Sequence, residues 1–178
     1  SLEAGASAGD YDYMHMVNWQ KGEEVIKAGK FKTVNGMRVI TMETAVAEGM
    51  LFLVPEPRSP HGVDVSPSGT YMTVGGKLDP NVTIFSIDKL KAAIEKKDYE
   101  KIDQFGVPIL EVASCVEARI EVGAGPLHTQ DDEKGHGYTS LFVASAVAKF
   151  TLGKPDYDGP NPFKLVDTLP VHYNIGHL

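Results

Sequence analysis

Alternation of apolar and polar positions, the signature of half-buried strands, runs through most of this chain. Residues 12–19 are rich in strand formers and predict a strand. Residues 20–28 predict a short helix that Gly29 stops. Residues 37–40 form a short extended piece, 44–48 one or two helical turns, and 51–54 an apolar strand. Pro55, Pro57 and Pro60 keep the following loop extended, because each proline disfavours helix at the residue before it. From His61 the pattern becomes regular. Gly62-Val63-Asp64-Val65 alternates, Ser66-Pro67-Ser68-Gly69 is a tight turn, and residues 71–74 are the return strand. Residues 75–81 read as a longer connection with a glycine turn, and 82–87 as a third strand. Asp88 then caps a helix from Lys89 to about Tyr99, an insertion in an otherwise all-β pattern.

The same order returns after Pro126. Residues 127–130 lead into a polar turn, Asp131-Asp132-Glu133-Lys134-Gly135, and strands follow at 138–143 and 146–152. A third unit begins near Pro170. His61 stands 8 residues before Gly69 with Tyr71 just beyond it, and His128 stands 7 residues before Gly135 with Tyr138 just beyond it. The steps between His61, His128 and His177 are 67 and 49 residues. A strand–turn–strand unit repeating near ~50 residues, lengthened once by a helical insertion, is the pattern of a β-propeller blade. The expected fold is therefore all-β: a partial β-propeller with a short helical insertion. Two such units and part of a third cannot close a ring of ~4–8 blades, so residues 1–178 are expected to be a piece of a longer propeller.

Composition narrows the chemistry. Apolar residues make up 42% and charged residues 23% of the 178, values that suit a packed domain and exclude a disordered or collagen-like chain. With 24 acidic against 17 basic residues the net charge is −7, which disfavours nucleic acid as a partner. The longest apolar runs are far short of the ~20 residues a membrane-spanning helix needs, so no membrane insertion is expected. Cys115 is the only cysteine, which excludes an internal disulfide and a cysteine-only metal site; its apolar neighbours predict a buried, inert thiol.

Three of the six histidines share a context. Pro60-His61-Gly62, Pro126-Leu127-His128 and Gly176-His177-Leu178 each stand where a repeat begins. Side chains at one phase of successive blades point to one axial locus, and imidazoles converging on a point make a site for copper, zinc, iron or nickel. Structural histidines that hold loop carbonyls are the other reading of the same spacing. His15, inside a strand, and His136, in a polar turn, are expected to lie outside any such site. Neither a phosphate-binding loop nor a nucleophile elbow is present.

These residues carry a family resemblance. Ser59-Pro60-His61-Gly62-Val63-Asp64-Val65-Ser66-Pro67-Ser68-Gly69 resembles a nitrous-oxide reductase segment. So do Gly75-Gly76-Lys77-Leu78-Asp79-Pro80, Gly125-Pro126-Leu127-His128-Thr129-Gln130, Tyr138-Thr139-Ser140-Leu141-Phe142 and Val171-His172-Tyr173-Asn174-Ile175-Gly176-His177-Leu178. The resemblance runs nearly end to end. The insertion between the first two histidines is similar to that of the group exported through the general secretory route.

The resemblance implies a copper-dependent oxidoreductase. Its members are periplasmic homodimers in which a seven-bladed propeller holds a tetranuclear copper–sulfide cluster through seven histidines. A C-terminal cupredoxin domain, absent from this chain, carries a dinuclear copper centre that receives electrons from a donor such as a c-type cytochrome. The cluster reduces nitrous oxide to dinitrogen and water in denitrification. The matching ligand positions are His61, His128 and His177; His172 is passed over because the ligand of its motif follows glycine. The isolated piece is expected to be inactive. The family also binds calcium near the cluster, and Asp12 matches one carboxylate of that site, although Ser59 stands where the family often carries Asn. Asp131 stands where the resemblance implies an inward-facing aromatic residue, so either the turn begins before it or the sequence is damaged at that point. The alternative is a non-catalytic propeller that binds proteins and uses these histidines structurally.

Overall fold

The computed structural model describes residues 12–178, so the first eleven positions of the expected propeller piece lie outside the described residues. The elements in chain order begin with β1 (Tyr13–Val17), α1 (Trp19–Lys27), β2 (Lys32–Val34), β3 (Met37–Val39), α2 (Met42–Ala47) and β4 (Leu51–Pro55). Next come β5 (Pro60–Val65), β6 (Tyr71–Gly76), β7 (Asp79–Ser86), α3 (Ile87–Lys96), β8 (Tyr99–Ile102), β9 (Pro108–Leu110) and α4 (Val112–Cys115). The chain continues through β10 (Val116–Glu121), β11 (Pro126–Asp131), β12 (His136–Leu141), β13 (Ala146–Thr151) and β14 (Leu165–Pro170). The architecture is mainly β, with three four-stranded sheets, as the alternating pattern predicts. Among the described residues no helix is long and apolar enough to cross a membrane.

The chain divides into two compact units. One takes Asp12, Glu56–Ala92 and Ala113–Leu178; the other takes Tyr13–Pro55 and Ala93–Val112. The first unit holds two antiparallel sheets, ordered β10-β7-β6-β5 and β11-β12-β13-β14. Each is a four-stranded blade with its histidine-bearing strand, β5 or β11, at one edge. In the first blade the fourth strand, β10, arrives only after α3 and the excursion into the other unit. That excursion accounts for the longer of the two histidine spacings. Their shared core comprises Tyr71, Val82, Ile84, Ile120 and Val122 from the first sheet and Leu141, Ala146, Ala148, Phe150 and Leu152 from the second. Cys115 is fully buried, in keeping with an inert thiol.

The second unit is a sheet ordered β1-β4-β9-β8 with α1, α2 and the β2–β3 hairpin. Asn18 caps α1 by accepting the Lys21 N–H at 3.0 Å, and Gly29 follows its end at φ +72°. Asn35 and Gly36, at φ +48° and +77°, make the two-residue hairpin turn that this dipeptide favours. Its core is small: Leu53, Val107 and Ile109, with Tyr13, Val46 and Leu51 against them. β8 and β9, which follow α3 in sequence, complete the sheet begun by β1 and β4. The helix expected at 89–99 is therefore one part of a larger insertion.

Two details of the repeat differ from its reading in the sequence. The valines of β5 face outward, with Val63 and Val65 exposed, while Asp64 between them is half-buried. Residues 75 and 76, expected to be a glycine turn, are the buried last residues of β6. A Cβ on Gly75 would lie 2.5 Å from the Leu127 carbonyl oxygen and 2.8 Å from that of Pro126. Glycine is required there because β11 crosses directly over it, and this close approach brings the two histidine-bearing strands together.

Candidate metal centre

His61 is the second residue of β5, paired across the ladder with Gly75. Ser59 at φ +52° precedes it, Gly62 at φ +83° follows it, and the ladder register shifts between His61 and Val63. Such a bulge re-aims a side chain relative to the regular pleat. His128 is the third residue of β11, and the register shifts there as well, between Pro126 and Thr129. His177 belongs to the irregular segment after β14. That segment is tied back by two bonds to Ser145, from the Val171 N–H to its carbonyl (2.9 Å) and from the Asn174 N–H to its Oγ (3.1 Å).

These three local devices converge. The His128 and His177 rings stack with centroids 4.1 Å apart, and His61 stands edge-on at 5.0 Å from His128 and 6.0 Å from His177. One nitrogen from each ring lies within 4.8 Å of the others. The three rings thus form a group that could hold a metal ion. Burial, then the neighbouring His128 and His177, then Lys77 hold the His61 imidazole below its ordinary pKa. The neutral ring is the form that binds metal. Three imidazoles with neither thiolate nor carboxylate in the group make a nitrogen donor set that suits copper, zinc, iron or nickel.

The other histidines are elsewhere. His15 is exposed on β1 in the second unit, and His172 is exposed after β14. His136 is not the solvent-facing turn residue its sequence context suggests. It is half-buried at the start of β12, its Nδ1 3.2 Å from Asp132 Oδ2, which also accepts the Tyr138 hydroxyl at 3.0 Å. The same carboxylate takes the Lys134 and His136 N–H groups at 2.9 Å each, so Asp132 organises the turn.

Asp131 also departs from its expected place. It is the last residue of β11, so the turn begins after it and not before. Burial, followed by the charges of Asp156, Asp64 and Asp132, pushes its carboxyl up to about 6, and its Oδ1 has no hydrogen-bond partner. The run Asp131-Asp132-Glu133 is thus not a uniformly solvated turn. Asp12 is exposed; its carbonyl accepts the Glu56 N–H at 3.1 Å. Burial and the Asp12 charge push the Glu56 carboxyl up to about 7. Ser59 is buried, and its carbonyl accepts the Lys77 N–H at 2.8 Å.

Asp64, Gly62 and Gly75 are parts of the site that motif reading passes over. Asp64 Oδ2 accepts the Thr129 N–H at 2.8 Å and lies 4.0 Å from His128 Nδ1. Its place three residues after His61, in the inward phase of β5, was the available signal.

Comparison with known proteins finds relatives along nearly the whole chain. Nitrous-oxide reductase of Pseudomonas fluorescens is 31% identical over 97% of this chain and 26% of its own length. The enzyme of Stutzerimonas stutzeri is 29% identical over 98% of the chain, and that of Cupriavidus necator 32% identical over 88%. The chain is a relative of the nitrous-oxide reductases. It spans about a quarter of the length of these curated relatives. No family model matches it. Nitrous-oxide reductase relatives and a histidine trio are thus two independent observations on one chain.

Proposed function

We propose that this chain is the part of a periplasmic, homodimeric nitrous-oxide reductase that gives His61, His128 and His177 to its copper–sulfide cluster. Nitrous oxide, two electrons and two protons become dinitrogen and water. The observation that supports this reading most is the convergence of three imidazoles, from three separate segments, at positions that also match the family's ligand motifs. When bound, a reduced copper–sulfide cluster supplies electron density to the neutral N–N–O unit. The protein's own work is to hold donors. β5 and β11 fix two imidazoles across the Gly75 crossing, and the Ser145 tether holds the segment bearing the third. Neutral rings add no charge of their own. A neutral substrate also gains little from electrostatic steering, so positioning is the residues' main contribution.

Electrons would come from a donor such as a c-type cytochrome through a cupredoxin domain outside this chain. For calcium, Asp12 is the candidate ligand and Glu56 its neighbour. A divalent cation would offset the burial and the Asp12 charge that now hold the Glu56 carboxyl high, by stabilising its ionised form.

The test uses the complete protein that carries this segment. His128→Ala should lose the cluster's absorption and more than ~90% of nitrous-oxide turnover together, since an under-coordinated metal is a collective loss. His172→Ala, an exposed control, should change neither. Near-normal turnover of His128→Ala would overturn the assignment and favour the binding-scaffold reading. Metal analysis of an Asp12→Ala preparation decides calcium: retention at the unsubstituted level would remove Asp12 from that site.

A further inference from the structure

We infer that Asp64 is a positioning residue that fixes the orientation and tautomer of His128, leaving His128 Nε2 as the metal donor. The inference rests on reading the histidine trio as a copper site. A carboxylate in the inward phase of a strand is costly unless it finds partners. Asp64 finds one in the Thr129 N–H, 2.8 Å from its Oδ2, and Thr129 directly follows His128. The carboxylate is therefore fixed relative to the backbone that carries the ring. The same Oδ2 faces His128 Nδ1 at 4.0 Å.

Gly62 forms the other wall of this notch. A Cβ there would lie 2.8 Å from His128 Nδ1, 3.2 Å from its Cε1 and 3.2 Å from Asp64 Oδ2. The Nδ1 edge of the ring is thus lodged between the Gly62 backbone and the Asp64 carboxylate. A negative oxygen facing Nδ1 favours the proton on that nitrogen, and the lone pair then resides on Nε2, at the opposite side of the ring. Outer acceptors of this kind set the tautomer of metal-binding histidines, and their loss typically costs ~10–100-fold in metal affinity. At 4.0 Å the contact is electrostatic, not a formed hydrogen bond, so charge and acceptor oxygen both matter.

The experiment measures copper content and the rate of copper loss to a chelator in the complete protein, for Asp64→Leu, Asp64→Asn and His128→Ala. Leucine keeps approximate size and removes every acceptor; asparagine keeps one acceptor oxygen and removes the charge. Asp64→Leu should lose copper ~10–100 times faster than the unsubstituted protein, with Asp64→Asn in between. A merely structural role would not give this graded rescue at matched melting temperature. Unaltered copper retention in Asp64→Leu would overturn the proposal, as would equal losses in both variants that track a fall in melting temperature. Where Asp64→Leu fails to fold, Asp64→Asn decides alone: its copper must leave measurably faster. His128→Ala separates the two levels of argument. If it retains copper, the reading of the trio as ligands fails; if it loses copper while Asp64→Leu does not, only the Asp64 inference fails.

Discussion

A carboxylate half-buried at the end of β11, with one oxygen unpartnered, opposes folding at neutral pH. Asp131 titrates near 6 in the folded chain against an ordinary 3.8, so the folded state holds its proton more tightly than the unfolded state does. The side chain's contribution is most favourable below pH ~4 and is lost as pH rises through ~4–6. Asp131→Asn removes the titration. Its amide would face the carboxylates of Asp156, Asp64 and Asp132, whose charges now raise the Asp131 pKa. The variant should be more stable above pH 6 by about 1–2 kcal/mol, a value discounted because the group is partly solvated. The advantage should vanish below pH 4. Urea midpoints measured across that range check it, and a pH-independent difference would show that burial of this carboxylate is not the cause. That this position faces inward was an expectation of the family resemblance, not of the local pattern, since Leu127, Thr129 and Asp131 form no apolar phase. That the chain would tolerate a carboxylate within the strand was not legible, since tolerance depends on protonation. By contrast, the His61, His128 and His177 contexts were legible because glycine or proline beside a histidine marks a bulge or loop. The Asp132 bonds that draw His136 inward arise from a turn whose closure no local pattern states.

The turn joining β5 to β6 is fastened by Asp156 of the loop after β13. Its Oδ1 accepts the Ser68 N–H at 2.8 Å, and its Oδ2 accepts the Ser66 and Ser68 hydroxyls at 2.9 and 2.6 Å. Tyr71 adds a bond from its hydroxyl to the Lys154 carbonyl at 2.6 Å. One carboxylate thus joins the first blade's turn to the second blade's loop, and hydrogen bonds to a charged group are worth ~1.5–3 kcal/mol each before compensation by water. Because this turn is partly exposed, water replaces some of that loss. Asp156→Ala should destabilise the unit by about 1–3 kcal/mol and expose residues 66–69 to proteolysis. Asp156→Asn, which keeps one acceptor oxygen, should lose less. Equal urea midpoints for Asp156→Ala and the unsubstituted protein would show the clasp to be inert. The Ser66-Pro67-Ser68-Gly69 turn was readable because its residue types fix backbone angles, whereas the clasp joins positions 88 and 90 residues apart. The same distinction explains the strands. β6, β7 and β13 announce themselves through β-branched and aromatic runs. β8 and β9 are short and mixed, and gain their partners only by joining β4 in the second unit, where Leu53 faces Ile109 in parallel. The outward valines of β5 show why alternation alone gives a strand but not its facing.

The blade repeat was visible at the scale of the chain because the histidine, turn glycine and tyrosine recur in one order. Whether anything covers the exposed faces was not visible in that repeat. β14 is exposed along its whole length, with Leu165, Val166 and Leu169 at 42%, 53% and 66% of full exposure, and β5 presents Val63 and Val65. β14 and β5 are also outer strands of their sheets, with one backbone edge lacking a ladder partner among the described residues. An apolar edge strand of this kind is a template for pairing with another chain. In relatives of which this chain matches only about a quarter, further chain is available to cover such surfaces. Expressed alone, the 178-residue chain should therefore self-associate at roughly 10–100 µM, as light scattering would register. On the proposed reading, in which it gives three imidazoles to a cluster held by seven histidines, it should also fail to reduce nitrous oxide with added copper. Placing lysine at Val166 and Leu169 should lower the scattering without altering the histidine trio, since charge on an edge strand blocks pairing at little cost to the sheet. The two substitutions separate edge pairing from general misfolding. If they leave aggregation unchanged, the blade is failing to fold; if the unsubstituted chain is monomeric and melts cooperatively, these surfaces need no further chain to cover them.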